Sequence, residues 1–248
     1  MECSDHELGK AADWIMNAEY LVAFTGAGIS VESGIPPFRG KGGIWSKYDP
    51  SILDIDYFWN SPRQSWKGIA EIFYTHFLDA RPNAAHYFLS RLEREGMLKA
   101  VITQNIDNMH QEAGSRAVIE YHGNSRWLRC SLCGTRYPLS GISLESLPPR
   151  CPEDQEILKP DFVFFGEGIP RDAASGSVQE VSGADLLLII GTTGEVMPAG
   201  MLPSIAKSHG ARVIEINPEP SAFTASLTDL FLQGAAGEVS KQLESCLF

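Results

Sequence analysis

The chain has 248 residues, 44% apolar and 21% charged, a composition that excludes disordered and fibrous proteins. Its 20 basic and 31 acidic residues leave a net charge of −11. That balance offers no electrostatic footprint for nucleic acid, so no sequence-specific nucleic-acid partner is expected; lysine-rich partners suit the charge better.

The first predicted element is a helix over 7–19, where Leu8, Ala11, Ala12, Ile15 and Met16 recur at helical spacing. The apolar run Tyr20-Leu21-Val22-Ala23-Phe24 follows and ends in Thr25-Gly26-Ala27-Gly28. Residues 39–80, rich in Trp and Tyr and opening on Gly40-Lys41-Gly42-Gly43, interrupt the pattern. A helix over 84–95 (Ala85, Phe88, Leu89, Leu92) then precedes strands at 100–102 and 117–121. Residues 126–160, with clustered cysteines and several prolines, are a second interruption. Strands at 185–190, 212–216 and 230–232, with a helix over 199–209, complete the chain. The strand runs do not alternate, so both faces are expected to be buried, as in a parallel sheet. Strand and helix in alternation predict an α/β fold, a Rossmann-like doubly wound parallel sheet. Residues 1–38, 81–125 and 161–248 are assigned to that domain, and 39–80 with 126–160 to a smaller one. No apolar stretch reaches the ~18 residues that span a bilayer, and Met1-Glu2-Cys3-Ser4-Asp5 has no apolar signal core. No membrane association is expected, and the location is read as cytoplasmic.

Gly26-Ala27-Gly28 lies where a dinucleotide-binding fold places a pyrophosphate: glycine lets the backbone approach, and helix N–H groups face the anion. The third glycine of G-x-G-x-x-G falls on Val31, so the pair alone fits an ordinary tight turn equally well. The cysteines stand at 3, 130, 133, 151 and 246, an odd number with three clustered, which reads as metal ligation before disulfides. Cys130-Ser131-Leu132-Cys133 is a C-x-x-C, and 17 residues separate it from Cys151. A zinc ribbon wants a second C-x-x-C, but its last position is Asp154. Aspartate oxygen ligates zinc, so Cys130, Cys133, Cys151 and Asp154 are read as a zinc site. The alternative is a site that has lost its metal and is held by packing alone.

The run Gly26-Ala27-Gly28-Ile29-Ser30-Val31-Glu32-Ser33-Gly34-Ile35-Pro36-Pro37-Phe38-Arg39-Gly40 closely resembles the signature loop of the sirtuins, G-A-G-x-S-x-x-S-G-I-P-x-F-R. Thr103-Gln104-Asn105-Ile106-Asp107, His122-Gly123, Phe165-Gly166-Glu167, Gly191-Thr192-Thr193, Ile216-Asn217 and Gly234-Ala235-Ala236-Gly237-Glu238 match in order. The chain is thereby similar to the NAD-dependent protein deacylases of bacterial or archaeal type. The resemblance implies NAD as cofactor, a structural zinc, and acyl-lysine proteins or peptides as partners, with nicotinamide, O-acyl-ADP-ribose and free lysine as products.

Carried over position by position, it assigns Gly26, Ala27, Gly28, Ser30, Phe38, Arg39, Gln104, Asn105, Ile106, Asp107, Gly191, Thr192, Thr193, Asn217 and Ala236 to NAD. Phe38 covers the nicotinamide and ribose against water, and Asn105 positions the ribose and its water. Asp107, with the Ile106 backbone, accepts from the nicotinamide amide. Thr192, Thr193 and Asn217 serve phosphate and adenine ribose, and Ala236 lies against adenine. His122 is the general base, a task suited to imidazole. Val163, Phe165, Gly166 and Glu167, with Val196 opposite, pair with extended substrate backbone. The bland alternatives are a structural His122, Asn105 and Asp107 as helix caps, and Phe162 to Phe165 as a buried strand. His110 is a lesser candidate, and His6, His76, His86 and His209 are read as structural or surface residues.

Gly194 stands where the family often has leucine, which is expected to loosen the loop toward Glu195; Pro37 and Ala235 are smaller departures. Aligned on Trp66, Ile69 and Ile72 fall where the succinyl-removing branch keeps Tyr and Arg. They are read either as an apolar channel for acetyl, propionyl or longer groups, or as core. The rival functions are a mono-ADP-ribosyltransferase and a non-catalytic NAD or ADP-ribose sensor.

Overall fold

A computed structural model of the chain describes residues 3–38, 42–75 and 80–248. The first half carries α1 (Asp5–Asn17), β1 (Leu21–Thr25), α2 (Ile55–Asn60), α3 (Pro62–Ile69), α4 (Ala84–Arg94), β2 (Leu98–Thr103), α5 (Met109–Glu112) and β3 (Val118–Glu120). There follow β4 (Gly123–Cys130), β5 (Arg136–Pro138), β6 (Leu158–Phe162), α6 (Arg171–Gly183), β7 (Leu186–Ile190), α7 (Leu202–Ser208), β8 (Arg212–Asn217), β9 (Leu230–Gln233) and α8 (Ala236–Leu247). Helix α1 begins at a reciprocal cap, in which Ser4 Oγ accepts from Glu7 N and the Glu7 carboxylate accepts from Ser4 N.

Six strands form one sheet in the order β3-β2-β1-β7-β8-β9, every pair parallel. Within this sheet that is the doubly wound order, with the switch point between β1 and β7. The continuous apolar runs now have their cause. Leu21 and Ala23 of β1 face a core shared with α1, α4 and α8, while Val22 and Phe24 face α6 and α7. In β7, Leu186, Leu188 and Ile190 divide from Leu187 and Ile189 in the same way. Both faces are covered, so neither needs polar residues.

The antiparallel sheet β5-β4-β6 belongs to a second core running from Ile35 to Phe164. Trp66 is fully buried there and its indole N–H donates to Leu158 O at 2.9 Å, which pins α3 to β6. Ile69 and Ile72 are also fully buried in this core, Ile72 on a single π-helical turn (Ala70–Thr75) that follows α3. Of the two readings of these isoleucines, the structure selects core.

Candidate active site and metal centre

A cleft of about 720 Å³ opens at the carboxyl ends of β1, β2, β7 and β8, astride the switch point. It is lined by Gly26, Ala27, Gly28, Phe38, Gln104, Asn105, Ile106, His122, Gly191, Thr192, Thr193, Asn217 and Ala236. Val163, Phe165, Gly166, Glu167 and Val196 line it as well. An adjoining recess is bounded by Ala27, Ser30, Phe38, Asn105, Ile106 and Asp107. Residues spread over some two hundred positions thus meet in one place. Arg39 falls outside the described residues.

The glycine loop differs from the expected helix. After Gly26 the chain forms a seven-residue 3-10 helix, Ala27–Ser33, closed by Gly34 at φ 86°. The glycines answer first to each other: a Cβ on Gly28 would lie 2.6 Å from Gly191 Cα and 2.8 Å from its carbonyl oxygen. Gly28 N donates to that oxygen at 2.8 Å. The loops after β1 and β7 touch backbone to backbone, which closes the floor of the cleft.

A polar network ties the recess together. Ser30 Oγ donates to Asp107 Oδ2 at 2.7 Å, and Asn105 Nδ2 donates to Ser30 Oγ (3.2 Å) and Gly26 O (3.1 Å). Asp107 Oδ1 accepts from Met109 N at 3.0 Å, so this carboxylate caps α5 with one oxygen and faces Ser30 with the other. Burial pushes its pKa up, opposed by these hydrogen bonds. His86, expected to be bland, is fully buried with Nε2 3.5 Å from Ser30 Oγ. His110 Nε2 lies 3.0 Å from Thr25 Oγ1, under the same loop. Neither position carries a motif that separates it from an ordinary helix residue. Glu32 and Glu219 also line the cleft without having been singled out; Glu32 accepts from Gly237 N at 2.5 Å. The signals for them were proximity to the glycine loop and to Asn217.

His122 follows β3, and its Nδ1 lies 3.0 Å from Gln104 O. A carbonyl only accepts, so Nδ1 carries the proton and Nε2 is left as a base. Burial holds its pKa below the ordinary value, against the Gln104 contact that raises it. The ring is therefore neutral at neutral pH.

The segment 162–167, read as pairing with substrate, is less open than expected. Only Phe162 lies in a strand; Val163 N donates to His122 O at 2.8 Å. Phe165 N donates to Leu53 O at 2.8 Å and Phe165 O accepts from Ile55 N at 3.0 Å. Glu167 accepts from Phe164 N at 2.7 Å and from Lys159 Nζ at 2.8 Å. Gly194 is not loose either. At φ 78°, its missing side chain leaves room for Phe223, whose ring would meet a Cβ at 2.6 Å. A leucine there would collide with that ring.

The metal ligands come from the turn after β4 and the turn at 151–154. One ligand atom each from Cys130, Cys133, Cys151 and Asp154 lie within 4.8 Å of one another. Cys133 Sγ and Cys151 Sγ are 3.9 Å apart, and Cys130 Sγ lies 3.4 and 3.3 Å from the two Asp154 oxygens. A tetrahedral zinc with the usual bond lengths has edges of about 3.8 Å between sulfurs and about 3.5 Å between sulfur and oxygen. Leu132 N and Cys133 N point at Cys130 Sγ from 3.4 and 3.5 Å, which suits a thiolate. The Glu156 N–H holds the Asp154 carboxyl at a pKa of about 2, so it is ionised. The donor set fits zinc, and the group could hold one.

A profile of the Sir2 family matches residues 26–198. The "NAD-dependent protein deacylase 2" of Pyrobaculum aerophilum is 46% identical over 236 residues, covering 94% of this chain and 92% of that protein. A solved Sir2 homologue in complex with NAD superposes with a TM-score of 0.88 at 40% identity, over 96% of this chain and 93% of that one. A Sir2 variant with a deacetylated p53 peptide and 3′-O-acetyl-ADP-ribose gives 0.91 at 34% identity, over 99% and 98%. The chain belongs to the Sir2 family, the sirtuins.

Proposed function

We propose that this protein is an NAD-dependent protein-lysine deacylase, which moves the acyl group of a modified lysine to ADP-ribose and releases nicotinamide and free lysine. The observation that carries the reading is His122: its Nε2 is free for a proton, and its ring lines the same cleft as Asn105, beside the recess of Ser30 and Asp107. The relative's name as a deacylase and the peptide and acetyl-ADP-ribose bound to a solved neighbour support it.

NAD, when bound, supplies an activated ribose carbon and a good leaving group. The residues do the rest. Ser30 and Asn105 orient the floor of the recess, and Asp107 and the Ile106 backbone hold the nicotinamide amide. Phe38 covers the ribose and excludes water from a carbon that would otherwise hydrolyse. His122 Nε2 would accept the proton of a ribose hydroxyl, the base needed for that oxygen to take the acyl carbon while the lysine amine leaves it. Thr192, Thr193, Asn217 and Ala236 hold the adenosine end. The acyl-lysine segment lies extended between 163–167 and Val196, using the main-chain groups not already engaged. We infer a cytoplasmic location, supported by a cysteine pattern that reads as metal ligation before disulfides. Partners are acyl-lysine proteins or peptides, and the net charge of −11 disfavours nucleic acid. The chain divides at 1–38, 81–125 and 161–248 against 39–80 and 126–160, with the site in the cleft where the two parts meet.

The test is one reaction of NAD with a panel of acyl peptides, read by mass spectrometry. Acyl-ADP-ribose and free peptide are expected. ADP-ribosylated protein would make the enzyme a transferase, and NAD binding without turnover would make it a sensor.

A further inference from the structure

Glu215 is a carboxylate buried without solvent contact in the middle of β8, between Ile214 and Ile216. A parallel sheet covered on both faces needs no charge there, and a buried carboxylate is costly unless its oxygens are fully engaged. They are engaged, by Asn217, which lines the cleft, and by two threonines of the segment that follows it. Oε1 accepts from Asn217 Nδ2 at 2.9 Å. Oε2 accepts from Thr224 Oγ1 at 2.9 Å and from Thr228 Oγ1 at 2.6 Å.

These three donors fix one lip. Asn217 Nδ2 also donates to Thr192 O at 3.1 Å, and Thr224 Oγ1 accepts from Ser221 N at 2.8 Å. Pro218, Glu219, Pro220 and Ser221, which line the cleft, are thus strung between bonds that lead back to Glu215. The opposite lip is tied to the same segment. Ala222 N donates to Thr193 O at 3.0 Å, and the buried Phe223 ring fills the space a side chain at Gly194 would need. Gly194 N in turn donates to Thr192 Oγ1 at 3.3 Å, and Val196 and Met197 beyond it line the cleft.

We propose that Glu215 is a positioning residue of the reaction: from beneath the cleft its carboxylate seats Asn217 and the segment 218–228 on the cofactor side and, through Phe223 packed on Gly194, the segment 194–198 on the substrate side. The inference rests on the deacylase reading for its kinetic test. Glu215→Gln keeps the shape but leaves a single acceptor oxygen for three donors. Thr228→Val removes one donor, and Thr228→Ser restores the hydroxyl.

The measurement is steady-state kinetics against NAD and against acetyl peptide, with direct titration of NAD into each variant and a folded fraction from active-site titration. Simple destabilisation lowers the folded fraction, hence the apparent kcat, and leaves KM where it was. A positioning role instead raises KM for NAD at least about tenfold in Glu215→Gln, the scale of a lost charge-assisted hydrogen bond, with kcat per folded enzyme within about threefold. Peptide KM rises with it, Thr228→Val moves in the same direction, and Thr228→Ser behaves as wild type. Folded Glu215→Gln with both KM values unchanged overturns the inference. Should Glu215→Gln not fold, an unchanged KM in Thr228→Val overturns it as well. A wild-type protein that makes no acyl-ADP-ribose overturns the deacylase reading alone; an NAD affinity equal in wild type and variants would then sink the inference separately.

Discussion

Lowering the pH from about 7.5 to about 5 should weaken the fold by about 2 kcal/mol through His86 alone. The ring is fully buried, and its Nδ1 accepts from Asn83 N at 3.3 Å. The ring proton therefore sits on Nε2, toward Ser30 Oγ at 3.5 Å. Charging the ring would add a proton at Nδ1, against an N–H already aimed there, in a fully buried site. Burial accordingly holds the pKa down to about 4, from 6.5 in the unfolded chain. Between those values the unfolded chain takes up a proton that the folded chain refuses. Stability is then complete above pH ~6.5 and falls with pH, by about 1.4 kcal/mol per unit, until the folded ring charges near pH ~4. The neighbouring His110, with its ring 5.0 Å away, is shifted the same way by burial and adds to the loss. Urea unfolding at several pH values between these limits, on the wild type and on His86→Gln, isolates the contribution. The variant should lose about 2 kcal/mol less than the wild type over that span. Equal losses would mean that His86 is charged in the folded protein, and the argument from its tautomer would fail.

His122→Ala should cut deacylation by about 10²–10⁴-fold while NAD binding persists, and wild-type kcat/KM should fall as pH drops through a midpoint below the ordinary histidine value; titration calorimetry and a pH–rate profile check both. About one zinc per chain is expected, lost with lowered thermal stability in Cys130→Ala and Asp154→Ala; elemental analysis of folded, metal-free wild type would show the site empty of function. Gly28→Ala drives a methyl into the Gly191 backbone at 2.6 Å and should cost about 1–3 kcal/mol by thermal denaturation, with weakened NAD binding. Among the described residues the charged groups lining the cleft are Glu32, Glu167 and Glu219, with no lysine or arginine. Acetyl peptide should therefore be consumed roughly a hundredfold or more faster than succinyl peptide, and equal rates would refute the pocket argument.

Much of the fold and of the cleft was legible in the chain itself. Apolar runs without alternation, such as Asp185-Leu186-Leu187-Leu188-Ile189-Ile190, can satisfy only a strand covered on both faces, and β7 is that strand. The glycine loop, Gln104-Asn105-Ile106-Asp107 and His122 are short local strings, and local strings survive in sequence. The C-x-x-C with Cys151 and Asp154 was visible for the same reason. What tertiary structure decided was which side chains meet across long separations. Ile69 and Ile72 have the apolar character of a channel or of a core, and only the packing around Trp66 assigns them to core. Gly194 reads in sequence as a departure that loosens its loop, and only the fold brings Phe223, well along the chain, into the space its side chain would need. Glu215 is one acidic residue among 31; its amide donor ends its own strand, and its two hydroxyl donors lie on the segment beyond it, where no periodicity links them to the carboxylate. Periodicity reports that a position is buried, because burial follows from the chain's own geometry. It is silent on the partner, because the partner is chosen by how separate elements pack.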